Sequence, residues 1–140
     1  MNVLSDMRSW LTSSSTGYGQ IGAGSTAWTV YLNKRPASTG NFIVLHQYGG
    51  LAPTAIADGT IDNPRVQVEL LTAVTSDSGY YTALAIQNRL RYVSNMWIPT
   101  SSTGDLFFSI DPLQSPMPLG VDENNRMQWV QNFQIRISYN

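Results

Sequence analysis

The chain contains no cysteine, so disulfide staples and thiolate metal sites are both ruled out. Its one histidine, His46, cannot build a zinc site of three histidine or cysteine ligands. Charge is scarce as well: 12% of residues are Asp, Glu, Lys or Arg, against about a quarter in an average globular domain. The net charge is −1 and no basic run occurs, which removes the electrostatic footprint of a nucleic-acid binder. No apolar stretch approaches a membrane span, and the start lacks the charged-then-apolar plan of a signal peptide, so a soluble protein without a membrane partner is expected.

Ser, Thr, Asn, Gln and Gly fill the polar positions instead, beside four Trp and seven Tyr. Two readings fit this composition. A surface poor in charge is weakly defended against association, and interface cores are depleted in charge and rich in aromatics, so other subunits would cover much of it. A strand-rich domain would give the same composition. At 140 residues and 42% hydrophobic, the chain is long enough for one domain with a real core, residues 1–140.

The rest of the chain is organised around residues 64–93. Val66, Val68 and Leu70 alternate with Arg65, Gln67 and Glu69, the period of a half-buried strand. Thr75, Ser76 and Asp77 then supply oxygens that can cap a helix start, and Gly79, Ala83, Ile86, Leu90 and Val93 form one helical stripe. Arg89 and Arg91 lie in its last turns, where cations favour the helix dipole.

Before this unit, Val3, Leu4, Met7, Trp10 and Leu11 predict a short amphipathic helix, with Ser5 and Asp6 near its start. Residues 12–26 are almost entirely Ser, Thr and Gly and read as a flexible loop. Gly17, Gly19 and Gly22 match the spacing of a dinucleotide fingerprint, but a helix precedes them and a strand follows, the reverse of what a pyrophosphate site needs. No cofactor is expected. Trp28, Val30 and Leu32 alternate as a strand, and residues 41–48 read as a strand covered on both faces through Phe42, Ile43, Val44 and Leu45. Residues 51–63 show no clear period and read as a loop.

After the organising helix, residues 95–105 read as a second polar loop around Trp97 and Pro99, and residues 106–110 as a strand. Pro112, Pro116 and Pro118 mark a stiff excursion. Then Met127, Trp129, Phe133, Ile135, Ile137 and Tyr139 share one face of a long strand, with Gln128, Asn132, Gln134, Arg136 and Ser138 on the other; Val130 and Gln131 break the rule. The expectation is an α+β fold: a mixed, mainly antiparallel sheet of about five strands packed against one long and one short helix.

Catalysis has little to rest on. No G-x-S-x-G elbow occurs, and a triad would have to recruit His46 from the end of an apolar strand, where a structural histidine is the commoner case. The only paired carboxylates, Asp122 and Glu123, are adjacent and so point apart if extended.

A resemblance adds a function. Val66-Gln67-Val68 in a strand, the helix with Tyr80, Tyr81, Ala83, Ala85, Ile86 and Leu90, and a Pro-rich link into Leu119-Gly120-x-Asp122-Glu123-x-x-Arg126 before Asn132-Phe133 follow one another in order. This resembles the tail-terminator proteins of long-tailed bacteriophages, including the group labelled phage minor capsid protein. The resemblance covers about residues 30–138. It implies a non-enzymatic virion protein of the phage neck, made in the host bacterial cytoplasm. It further implies a homohexameric ring that ends tail-tube polymerisation and joins tail to head. The implied partners are copies of itself, the tail tube protein and the head-tail connector or stopper, with phage DNA passing through the ring unread. Where the family often has Gly in the turn after Asp-Glu, this chain has Asn124-Asn125, and Asn tolerates the left-handed conformation.

Two alternatives stand beside it: another neck component such as a head-closure or tail-completion protein, and a carbohydrate-binding host-recognition module using Trp28, Trp97 and Trp129. The candidate subunit or ring interface is Tyr18, Tyr80, Tyr81, Trp97, Asp122, Glu123 and Arg126. For Asp122, Glu123 and Arg126 a purely structural turn is the competing reading, and for Tyr80 and Tyr81 simple solvent exposure.

Overall fold

In the computed structural model, which describes residues 2–13, 28–57, 59–75, 78–99 and 104–139, Asn2 opens the first element. Its side-chain oxygen accepts the Ser5 amide at 2.9 Å, and helix α1 (Val3–Thr12) follows. Ser5 and Asp6 thus lie in the first turn of the helix, with Asn2 as its cap. Val3, Leu4, Met7 and Leu11 are buried, as their spacing requires of an amphipathic helix. The remaining elements are β1 (Thr29–Leu32), β2 (Phe42–Ile56), β3 (Gly59–Ala73), α2 (Ser78–Arg91), β4 (Ser94–Ile98), β5 (Asp105–Pro112), β6 (Met117–Val121) and β7 (Arg126–Ser138).

The strands form one sheet in the order β1-β2-β3-β7-β5-β4, with β6 pairing β7 off that path. β1 runs parallel to β2, and every other pair is antiparallel. The long alternation of β7 makes it the central strand. One edge pairs along β3, and the other is shared between β6 at residues 127–130 and β5 at residues 133–138.

This corrects the expected fold class. Among the described residues seven strands are present in place of about five, the sheet curls into half a barrel, and the two helices have 10 and 14 residues, so neither is long. Strand accounts for 56% of the described residues and helix for 21%, so the sheet carries the architecture. Of residues 51–63, expected as a loop, 51–56 continue β2 and 59–63 begin β3, the two pairing as a hairpin. They lack a clear period because residues 47–56 are exposed throughout, and a strand with no buried face needs no alternation. Residues 95–98, expected in a polar loop, are most of β4, an edge strand at which polar residues face solvent. The Pro-rich excursion hides β6, where Pro118 is tolerated because the strand pairs on one side only.

Both helices cover the same face. Val66, Val68 and Leu70 of β3, Ile43 and Leu45 of β2, and Phe133, Ile135 and Ile137 of β7 join Val3, Leu4, Met7 and Leu11 of α1 and Ala83, Ile86 and Leu90 of α2 in one core cluster. Burying each large aliphatic or aromatic side chain there contributes about 1.5–3 kcal/mol. Gly79 begins α2 where a Cβ would lie 2.4 Å from Trp129 Cδ1, so only glycine lets that turn sit on the indole. On the opposite face, Phe42, Val44 and Leu71 make a small second cluster. Gln131, on the core face of β7, is buried because its amide donates to Gln114 O at 3.1 Å and also to Gln87 Oε1. The two bonds satisfy the amide nitrogen, while Gln131 Oε1 is buried without a hydrogen-bond partner among the described residues.

Candidate assembly surface

The Asp122–Arg126 turn is structural. Asp122 Oδ1 accepts the amides of Asn124 at 3.0 Å and Arg126 at 2.8 Å, which winds the chain tightly between β6 and β7. Asn125 sits at φ 59°, the left-handed position that an asparagine tolerates. The Arg126 guanidinium donates from Nε to Asp122 Oδ2 at 2.9 Å, and from Nη1 to Pro36 O at 2.6 Å and Ser38 O at 3.0 Å. It therefore ties this turn to the connection between β1 and β2. Burial alone would push the Asp122 carboxyl up; the hydrogen bonds and charge of Arg126, with the amides, outweigh it and hold the carboxyl below its ordinary range. Both side chains of the ion pair are almost fully buried, so neither is free to meet a partner; exposed Glu123 is.

The aromatic candidates divide. Tyr80 lies against Trp129 with ring centroids 5.6 Å apart, and Tyr81 stands edge-on to Tyr80 at 5.8 Å while remaining 65% exposed. This step of rings runs from the start of α2 to Trp129, whose neighbour across the ladder is Pro118 of β6. Trp97 is 41% exposed on edge strand β4, across β5 from β7 and so apart from this group. Tyr18 lies outside the described residues. Of the three tryptophans offered for sugar stacking, Trp28 is buried and Trp129 is half-buried against the core and Tyr80.

The sequence reading missed two surfaces. The first is the arm. Residues 46–56 of β2 pair only with β3, and residues 59–61 of β3 only with β2, so the hairpin reaches beyond the sheet with Leu51 at 61% exposure and Ile56 also exposed. Gly50 permits the strands to meet at its base, where a Cβ would lie 2.2 Å from Asn63 O. The Asn63 amide donates to Ala52 O at 2.9 Å across the same base. Gly49-Gly50 reads in sequence as the end of a strand; it is a bulge within one. The second is the outer edge of β6, where Met117, Leu119 and Val121 are all exposed, with Leu119 the extra residue of a bulge.

The helix-free face between these surfaces is a polar ladder. Arg65 Nε donates to Gln134 Oε1 at 3.0 Å, and Gln67 Nε2 to Asn132 Oδ1 at 3.2 Å. Beside them Arg35 forks onto Glu69, donating from Nε to Oε1 at 2.7 Å, and His46 Nε2 lies 3.7 Å from the same oxygen. The hydrogen bond to Glu69 pushes the Arg35 pKa further above its ordinary value. His46 therefore belongs to the polar face rather than to the apolar end of a strand.

A depression of ≈ 520 Å³ beside the arm is lined by residues 47–51 and 62–64. Among the described residues, no three His, Asp or Glu side chains converge as metal ligands, and no helix is long and apolar enough to cross a membrane. The chain matches no protein-family model, and no curated protein is significantly similar to it.

Proposed function

We propose that this protein is a structural subunit of a phage virion, forming a ring at the head-proximal end of the tail tube that ends tube growth and joins the tail to the head connector. The observation that carries this reading is the exposed arm of β2 and β3. A two-stranded hairpin is marginal in water by itself, and this one displays Leu51 and Ile56 to solvent. The edge of β6 has the complementary deficit: backbone unpaired by any described residue beside Met117, Leu119 and Val121. Arm and edge lie on different sides of β7, so contact between two such surfaces is head-to-tail, and such contacts close into a ring where the rotation between neighbours closes. The sequence likeness to tail terminators supplies the identity of that ring: tube protein on one face, connector on the other, DNA through the lumen without base recognition.

Capping then follows from asymmetry between the two ring faces. One satisfies the strand edges and loops with which the last tube ring would recruit another, and the other does not recruit tube protein. The test is electron microscopy of a phage lysate in which production of this protein is blocked. Overlong or unjoined tails beside DNA-filled heads are expected. Tails of normal length attached to heads would overturn the proposal.

A further inference from the structure

At one end of α1 two carboxyls are buried against each other. Asp6 is fully buried and Asp105, the first residue of β5, is 2% exposed; their carboxyls lie against each other, and neither Asp6 oxygen receives a hydrogen bond from a donor among the described residues. Two carboxylates offer only acceptors, so this contact requires a proton on one of them. Burial, then the hydrogen bond to Asp105 and its charge, raises Asp6 to about 7. Asp62 of β3 and Tyr139, just after β7, share the neighbourhood: burial and then the negative field of Asp62, Asp105 and Asp6 push the Tyr139 phenol up. The α-amino group alone pulls Asp6 downward. Of the elements packed on α1, β1 and β4 bring no charged residue. β2 carries His46 on the opposite face beside Glu69. α2 brings Arg89 to the other end of the helix, where Nη2 donates to Trp10 O at 3.1 Å and Ser13 O at 2.6 Å.

We propose that Asp6 and Asp105 form a proton latch for α1: one proton shared between the buried carboxyls holds the helix on the sheet, and its departure to water leaves two carboxylates in contact and loosens the helix. The latch does not rest on the ring reading. Because the docked Asp6 titrates above its ordinary 3.8, docking is tightest below that value. It weakens as pH rises toward about 7, by up to about tenfold per pH unit for one proton, and levels off above it. The Arg89 clasp at the far end, whose donors do not titrate in this range, sets the docking that remains. Opening exposes Val3, Leu4, Met7 and Leu11 together with the core beneath them.

Native-state hydrogen exchange on the full chain between pH 5 and 8, corrected for the intrinsic rate, tests this. Protection of the Met7 and Leu11 amides is expected to fall up to about tenfold per unit between pH 5 and 7 and to flatten above, while Phe133 and Ile135 in β7 stay more protected. In Asp6→Asn, whose amide N–H can donate to Asp105, and in Asp105→Asn, the α1 profile is expected to be flat and higher than wild type at pH 7.5. Flat protection of α1 in the wild type, or its pH slope persisting in either folded variant, would overturn the latch. So would equal protection of α1 and β7 at every pH, since the helix would then open only with the whole domain. The wild-type profile decides the matter even if one variant fails to fold.

Discussion

Replacing Arg126 by methionine is expected to destabilise the fold by about 3–5 kcal/mol, the cost of leaving one partner of a buried ion pair alone. The guanidinium holds Asp122 Oδ2 through Nε at 2.9 Å and Nη2 at 2.8 Å, and caps Pro36 O and Ser38 O through Nη1. Without it, Asp122 keeps only the amides of Asn124 and Arg126, and two carbonyls lose a donor. For a chain of this length such a loss lowers the melting temperature by about 10–20 °C. The carboxyl is held below its ordinary value of 3.8 in the folded state, so the charge-dependent part of this stability is present above that pH and is lost as pH falls below it. Urea denaturation at pH 7 and pH 3 should therefore show a wide gap between wild type and Arg126→Met at the higher pH and a narrower one at the lower. In an Asp122→Asn background the same substitution should cost less, because no buried charge is stranded. A cost under about 1 kcal/mol at pH 7 would refute the view that this pair fastens the turn to the connection between β1 and β2.

Two further outcomes are expected of the arm. Gly50→Ala places a methyl 2.2 Å from Asn63 O, so the strands must part at the base, at a cost of about 1–3 kcal/mol readable by thermal denaturation; a neutral result would refute the tight approach. Leu51→Ser combined with Ile56→Ser should leave stability within about 0.5 kcal/mol of wild type while reducing the protein recovered on purified tails, because both side chains face solvent in the single chain. Undiminished recovery on tails would remove the arm from the assembly surface.

The elements that bury one face were legible in the sequence. Val66, Val68 and Leu70, the stripe from Gly79 to Leu90, and the alternation of β7 were each readable because burial imposes a period on the residues that undergo it. The long-range partners of single polar residues were not. Asp6 read as a helix-start residue and is buried on Asp105, ninety-nine positions away in the chain; Arg89 read as a dipole-favouring cation and reaches across to the carbonyls of α1. Asp122 and Arg126 were read both as a turn and as a ring contact; their side chains are buried in the turn, and Glu123 is the exposed member.

By itself the sequence determined which segments have a face to bury, that the chain lacks the ligands for a cysteine or three-histidine metal site, and that its surface carries little charge. Periodicity and composition are local quantities, and these conclusions require nothing more. Tertiary structure alone decided that, among the described residues, seven strands share one sheet, β2 and β3 continue into an exposed arm, and the edge of β6 is left open. Strands with no buried face leave no hydrophobic period, and which edge remains unpaired depends on the order in which distant segments add to the sheet.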